Sequence, residues 1–144
     1  MMNPSPYHQV RLAVSLAVAF ASAAAWADSA RALVKEGNAA FAQGNFDEAT
    51  SAYQKADVET PESPVIRFNQ GTIKYRLEDF EGARDAFAEA ARQAPDTIFE
   101  SHCRYNIGNC WFREARRQQD SDQKKALEAS EKAIDSYHGA LSLN

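Results

Sequence analysis

Only three histidines and two cysteines occur in the 144 residues, and none stands in a spacing that carries chemistry. There is no His-Glu-x-x-His, no Gly-x-Ser-x-Gly elbow and no glycine-rich loop able to cradle a phosphate. His8 lies in the N-terminal segment, which leaves His102 and His138 far apart, and the acidic residues are scattered rather than paired. The expectation is a protein that is not an enzyme. Cys103 beside His102 fits no zinc spacing, and neither paired Cys-x-x-Cys units nor a haem-attachment motif is present, so no metal and no cofactor is expected. The two cysteines cannot bridge each other on one helix, because seven residues separate Cys103 and Cys110 by about 10 Å along its axis. A disulfide needs Cα atoms within about 7 Å. An excess of basic charge is missing too. Sixteen Lys and Arg against 20 Asp and Glu give a net charge of −4, which repels a phosphate backbone and predicts no nucleic-acid partner.

Long apolar runs are also scarce, with one exception at the start. Met1–Gln9 is a polar lead, Arg11 supplies a positive charge, Leu12–Ala25 is apolar, and Ala25-Trp26-Ala27 places small residues where a signal peptidase reads. That is the layout of a secretory signal peptide over residues 1–27, cleaved after Ala27. An uncleaved N-terminal anchor is the alternative, but fourteen residues at ~1.5 Å each fall short of a ~30 Å hydrocarbon core. Cleavage removes Arg11 and no acidic residue, so the mature chain is one unit more negative. A periplasmic or secreted protein is expected.

The rest of the chain repeats. At an offset of 34 residues Gly37 falls on Gly71, Phe46 on Phe80, Ala49 on Ala83, Tyr53 on Phe87, Ala56 on Ala90 and Pro61 on Pro95. Phe46, Tyr53 and Ala56 share one face of a 3.6-residue helix. Gly37 and Ala49 are small where two helices of a hairpin approach, Gly44-Asn45 marks the turn between them, and Pro61 and Pro95 stop the second helix. A third unit follows with Gly108, Ala133, Tyr137 and Ala140, stretched by about 13 residues between Arg113 and Lys125. It reads as a longer hairpin: one helix from about Thr97 to Gln119, a turn at Asp120-Ser121-Asp122 that caps the next helix, and a partner from about Gln123 to Ser142. A loop or disordered stretch is the other reading of those polar residues.

These residues resemble the tetratricopeptide-repeat (TPR) family: Gly37-Asn38, Ala40-Phe41, Gly44-Asn45-Phe46, Ala49, Tyr53, Ala56 and Pro61 in the first unit, and Gly71, Tyr75, Phe80, Ala83, Phe87, Ala90 and Pro95 in the second. The third has Tyr105-Asn106-Ile107-Gly108-Asn109, Trp111-Phe112, Ala133, Tyr137 and Ala140. The second departs at Gln70 and Lys74, where the family usually carries apolar residues, so looser packing is expected there. The resemblance implies an all-α fold: a right-handed TPR solenoid of three antiparallel helix pairs, units about 30–63, 64–97 and 98–144, the third pair lengthened by an insertion. First helices would line a concave groove that takes a protein or peptide partner.

Asn38, Asn69, Asn106 and Asn109 stand at or near the glycines and are the candidate groove residues, since an amide both donates and accepts. The alternative is that they bond within the array or face only water. Family members that grip a C-terminal carboxylate use two asparagines and three basic residues. Asn38 and Asn69 match the asparagines, but the basic positions hold Val34, His102 and Asn106, so that mode is not expected. Cys103 and Cys110 align with Ala32 and Ala39 and with Ile66 and Ile73, which predicts thiols packed as small apolar groups against the preceding unit.

In the insertion Arg113, Arg116, Arg117, Lys124 and Lys125 outnumber their acidic neighbours, a solvated face or a docking knob for an acidic partner. The stretched third unit resembles the exported TPR proteins of bacterial aerotolerance (Bat-type) operons, which implies a membrane-associated complex with a von Willebrand factor A-domain protein. A structural subunit of an envelope or outer-membrane assembly complex is the alternative. Ala140, Leu141 and Leu143 close the sequence on apolar residues, as expected of a truncated array or of a face covered by self-association.

Overall fold

A computed structural model describes residues 28–143; the leader expected over residues 1–27 lies outside them. Six helices and no strand occur among the described residues: α1 over 28–42, α2 Phe46–Glu59, α3 Pro64–Arg76, α4 Phe80–Arg92, α5 Thr97–Gln118 and α6 Gln123–Leu141. They form three antiparallel pairs stacked as a right-handed solenoid. No described helix is long and apolar enough to cross a membrane.

Local chemistry sets the helix ends. Gly44 takes φ +81° at the α1–α2 turn, a conformation that glycine adopts without a Cβ clash. One period later Glu78 holds the same left-handed backbone at φ 61°. Asp79, Asp96 and Asp122 each cap a helix by accepting a bond from the backbone N–H three residues on, at 3.0, 2.7 and 3.1 Å. At Asp122 that Lys125 N–H holds the carboxyl below its usual range, so this cap strengthens above the ordinary carboxylate pKa and weakens on acidification. Pro64 opens α3 at a position where a missing N–H is harmless. The extra residues of the third unit form neither a loop nor a disordered stretch. They lengthen both helices, to 22 and 19 residues against 13 and 13 in the second pair.

Each pair closes around a glycine. A Cβ built on Gly37 would stand 2.5 Å from the Tyr53 ring, on Gly71 2.9 Å from Phe87, and on Gly108 2.6 Å from Tyr137. The close approach therefore sets glycine against the aromatic ring of the second helix; Ala49 and Ala83, wholly buried, pack in the same cores. A second aromatic pair recurs near the first two hairpin turns, Phe41 with Phe46 and Tyr75 with Phe80, both at 5.6 Å. Phe112 aligns with Phe41 and Tyr75 but meets no aromatic partner among the described residues and is left about half exposed.

Stacking joins the units. Ile66 and Ile73 of α3 complete the core formed by Ala40, Ala49, Tyr53 and Ala56 of α1 and α2. Cys110 of α5 completes the core of Phe80, Ala83 and Phe87. Phe68 meets Phe87 within the second unit at 5.2 Å and Phe99 of the third at 5.6 Å. Both thiols are fully buried, as their alignment with Ile66 and Ile73 predicts. Ala32 and Ala39, in the same slots of the first unit, are exposed, because no described helix packs on that side of α1. Gln70 and Lys74 are half-buried rather than exposed; Gln70 accepts a bond from Arg67 at 3.2 Å.

Burial gives the cysteines a chemical signature. It pushes the Cys103 thiol up to about 12, helped by the nearby Glu100 charge. It pushes Cys110 to about 12 as well, against the opposing pull of Arg84. Neither is a thiolate at neutral pH, so a disulfide-exchange reagent such as DTNB at pH 8 should label no thiol of the folded chain and two after denaturation. Prompt labelling under native conditions would contradict the packing. Because the fold favours the protonated thiols, stability should also fall as pH rises from the ordinary thiol range towards 12.

Candidate partner-binding surface

The four asparagines sit on first helices: Asn38 on α1, Asn69 on α3, Asn106 and Asn109 on α5. The structure brings two of them together. Asn38 Oδ1 accepts a bond from the Tyr53 hydroxyl at 2.6 Å and another from Asn69 Nδ2 at 3.3 Å. One carbonyl oxygen thus ties α1 to α2 and the first unit to the second. In the third unit Asn109 Oδ1 accepts from the Tyr137 hydroxyl at 2.9 Å. Asn106 turns its Nδ2 back to the carbonyl of His102, one helical turn earlier, at 2.8 Å. All four amides are bonded within the array through one of their two polar ends.

This asparagine–tyrosine pair went unrecognised in the sequence, although a signal was present. An asparagine follows the glycine where the second helix carries tyrosine, at Asn38 with Tyr53 and Asn109 with Tyr137. Where that ring is Phe87, which has no hydroxyl to donate, the residue after the glycine is Thr72, bonded instead to the Phe68 carbonyl at 3.0 Å. Burial raises the pKa of both tyrosines, for Tyr137 with smaller contributions from Tyr105, Tyr75 and Cys110, so both hydroxyls stay protonated donors.

Among the described residues the other end of each amide has no partner: Nδ2 of Asn38 and of Asn109 meets no acceptor, and Oδ1 of Asn69 and of Asn106 no donor. Asn38 is exposed and the other three half-buried. Across α1 and α3 a donor and an acceptor stand side by side, which is what the backbone of an extended peptide requires. Five cavities of 290 to 470 Å³ are lined by other residues, so the asparagines belong to none of these hollows.

The profile of the family described as tetratricopeptide repeat matches residues 8–64 and 34–98, more than half of the chain. The chain is a TPR protein. Among solved structures it is similar to the N-terminal domain of stress-induced protein-1 (STI-1) from C. elegans, at 19% identity and a TM-score of 0.60, over 83% of this chain and 94% of that one. At that identity the likeness is one of fold. No curated protein sequence matches. TPR folds are scaffolds that bind other proteins, and this chain shares their architecture.

In the insertion of this TPR protein most of the basic residues are paired. Arg113 pairs with Glu78 of the preceding unit at 3.2 Å and lies 5.6 Å over the Phe80 ring. Arg117 pairs with Glu114 at 3.6 Å and lies at the same distance over Phe80. Lys125 pairs with Asp122 at 3.3 Å and Lys124 with Glu128 at 4.0 Å. Four of the five cations therefore have their own counter-ions, in solvent-screened pairs that add little to stability. Arg116 has no ion pair among the described residues and lines a small hollow with Arg113 and Arg117. Among the described residues no group of three or more His, Cys, Asp or Glu is placed to hold a metal.

Proposed function

We propose that the chain is an exported, non-catalytic scaffold that holds an extended segment of a protein partner along its first helices, at Asn38, Asn69, Asn106 and Asn109. The observation that carries this reading is the set of amide ends left without a partner among the described residues: each asparagine is fixed within the array through one polar end only, and the end of opposite polarity is left over. Such amides engage peptide backbone without selecting a charged terminus, in keeping with the absence of Lys or Arg at Val34, His102 and Asn106.

Export rests on the apolar run Leu12–Ala25 followed by Ala25-Trp26-Ala27. The stretched third repeat supports membership of a membrane-associated complex of the aerotolerance type, with a von Willebrand factor A-domain protein as partner. Affinity capture from envelope extract, with the full chain as bait, tests the groove. Changing Asn69 and Asn106 to Ala should reduce recovery of the captured protein about tenfold, the loss of roughly one well-made hydrogen bond at each position. Undiminished recovery would remove these residues from the site.

A further inference from the structure

The largest departure from the repeat pattern is Trp111, which takes the slot of Ala40 in the first unit and Lys74 in the second. Its indole forms part of the wall of a cavity of about 420 Å³ between α4, the end of α5 and the start of α6, within the usual size of a ligand site. Two cations share that one ring: Arg84 of α4 at 3.7 Å from its centroid and Lys132 of α6 at 4.5 Å. Like charges held together this way repel each other, and neither has a carboxylate partner among the described residues. Nη1 of Arg84 is shut off from solvent with no acceptor, which is costly for a guanidinium.

Four of the five carboxylates that share the wall are held elsewhere. Glu78 is taken by Arg113, Glu114 by Arg117, Glu128 by Lys124, and Asp79 by the Gly82 backbone N–H. Glu81 is unpaired but exposed. Arg84 and Lys132 are thus the lining cations with no ion pair among the described residues.

We propose that this cavity is a second partner site, taking a carboxylate side chain from an acidic segment of a protein. The carboxylate accepts from the Arg84 guanidinium and the Lys132 ammonium while its aliphatic stem lies against the Trp111 indole. The site is separate from the asparagine surface: Trp111 stands two residues from Asn109 on α5, about 200° around the helix. Its failure or success leaves the groove reading untouched.

The full chain carrying Trp26→Phe isolates Trp111 emission. Titration with an acetylated, amidated hexaglutamate peptide should shift that emission in a saturable manner, and salt should weaken the effect. Hexalysine and hexaglutamine peptides should give no shift. Lys132→Gln, at an exposed position, should weaken the glutamate peptide about tenfold with helical circular dichroism unchanged, and Arg84→Gln should weaken it at least as much. The proposal is overturned by an absent or non-saturable response, by a response that Lys132→Gln leaves intact, or by an equal response to hexaglutamine. Acetate acting as strongly per carboxylate as the peptide would reduce the site to a simple ion site and overturn the acidic segment.

Discussion

Phe87→Ala should lower the unfolding free energy by about 3–5 kcal/mol, the range for removing a large aromatic from a close-packed core. The ring is 1% exposed, packs against Gly71, meets Phe68 edge-on at 5.2 Å, and shares its cluster with Phe80, Ala83 and Cys110. Its loss opens a hollow at the point where the second unit receives the third. A domain of this size has about 5–15 kcal/mol in total, so the variant should be marginal, with a urea midpoint well below that of the parent. Phe87→Leu, which refills most of the volume, should cost less than half as much. Equal midpoints for parent and alanine variant would mean that the ring is not in the core.

The second large effect has a sign that local propensity alone gets wrong. Alanine is a better helix former than glycine by about 1 kcal/mol, so Gly37→Ala, Gly71→Ala and Gly108→Ala would each stabilise an isolated helix. In the array each new Cβ would stand 2.5 to 2.9 Å from a carbon of Tyr53, Phe87 or Tyr137. These rings are held by neighbours and cannot swing aside, so net destabilisation of about 1–3 kcal/mol is expected at all three positions. Gly139 supplies the contrast. A Cβ there would lie 3.3 Å from the end of the flexible Arg104 side chain, so Gly139→Ala should leave stability unchanged or raise it by up to about 1 kcal/mol. Denaturant curves of the four variants check this. Gains at Gly37, Gly71 and Gly108 would mean that the helix pairs do not close on those glycines.

Much of this architecture is legible in the sequence because the repeat aligns residues whose roles are mutually consistent. A glycine in the first helix, an aromatic in the second and a proline after it recur at 34 residues, and only paired helices satisfy all three. The long third hairpin is equally readable, since Asp120-Ser121-Asp122 interrupts two helical stretches and Asp122 is a natural cap. The candidate site is less so. Asn38 and Asn69 are visible as polar residues near glycines, but their mutual bond joins side chains 31 positions apart, and no local pattern encodes it. The cavity around Trp111 is further still from view. Arg84, Trp111 and Lys132 come from three helices in two units, and their meeting depends on how far the lengthened hairpin leans over α4. Ala32 and Ala39 show the reverse limit: apolar residues in a buried slot of the repeat stay exposed where no described helix covers them.

A trough along the first helices exists only if the units stack as one body, with Cys110 of the third sharing the core of the Phe87 ring of the second. Urea unfolding of the Phe87→Ala chain in the Trp26→Phe background, followed at once by Trp111 emission and by far-ultraviolet circular dichroism, examines that shared core. Continuous stacking predicts that both transitions move down together, although Trp111 belongs to the unit that was not altered. A Trp111 transition left at its parental midpoint while the dichroism splits into two steps would show units that fold alone, with no shared trough for a partner to occupy.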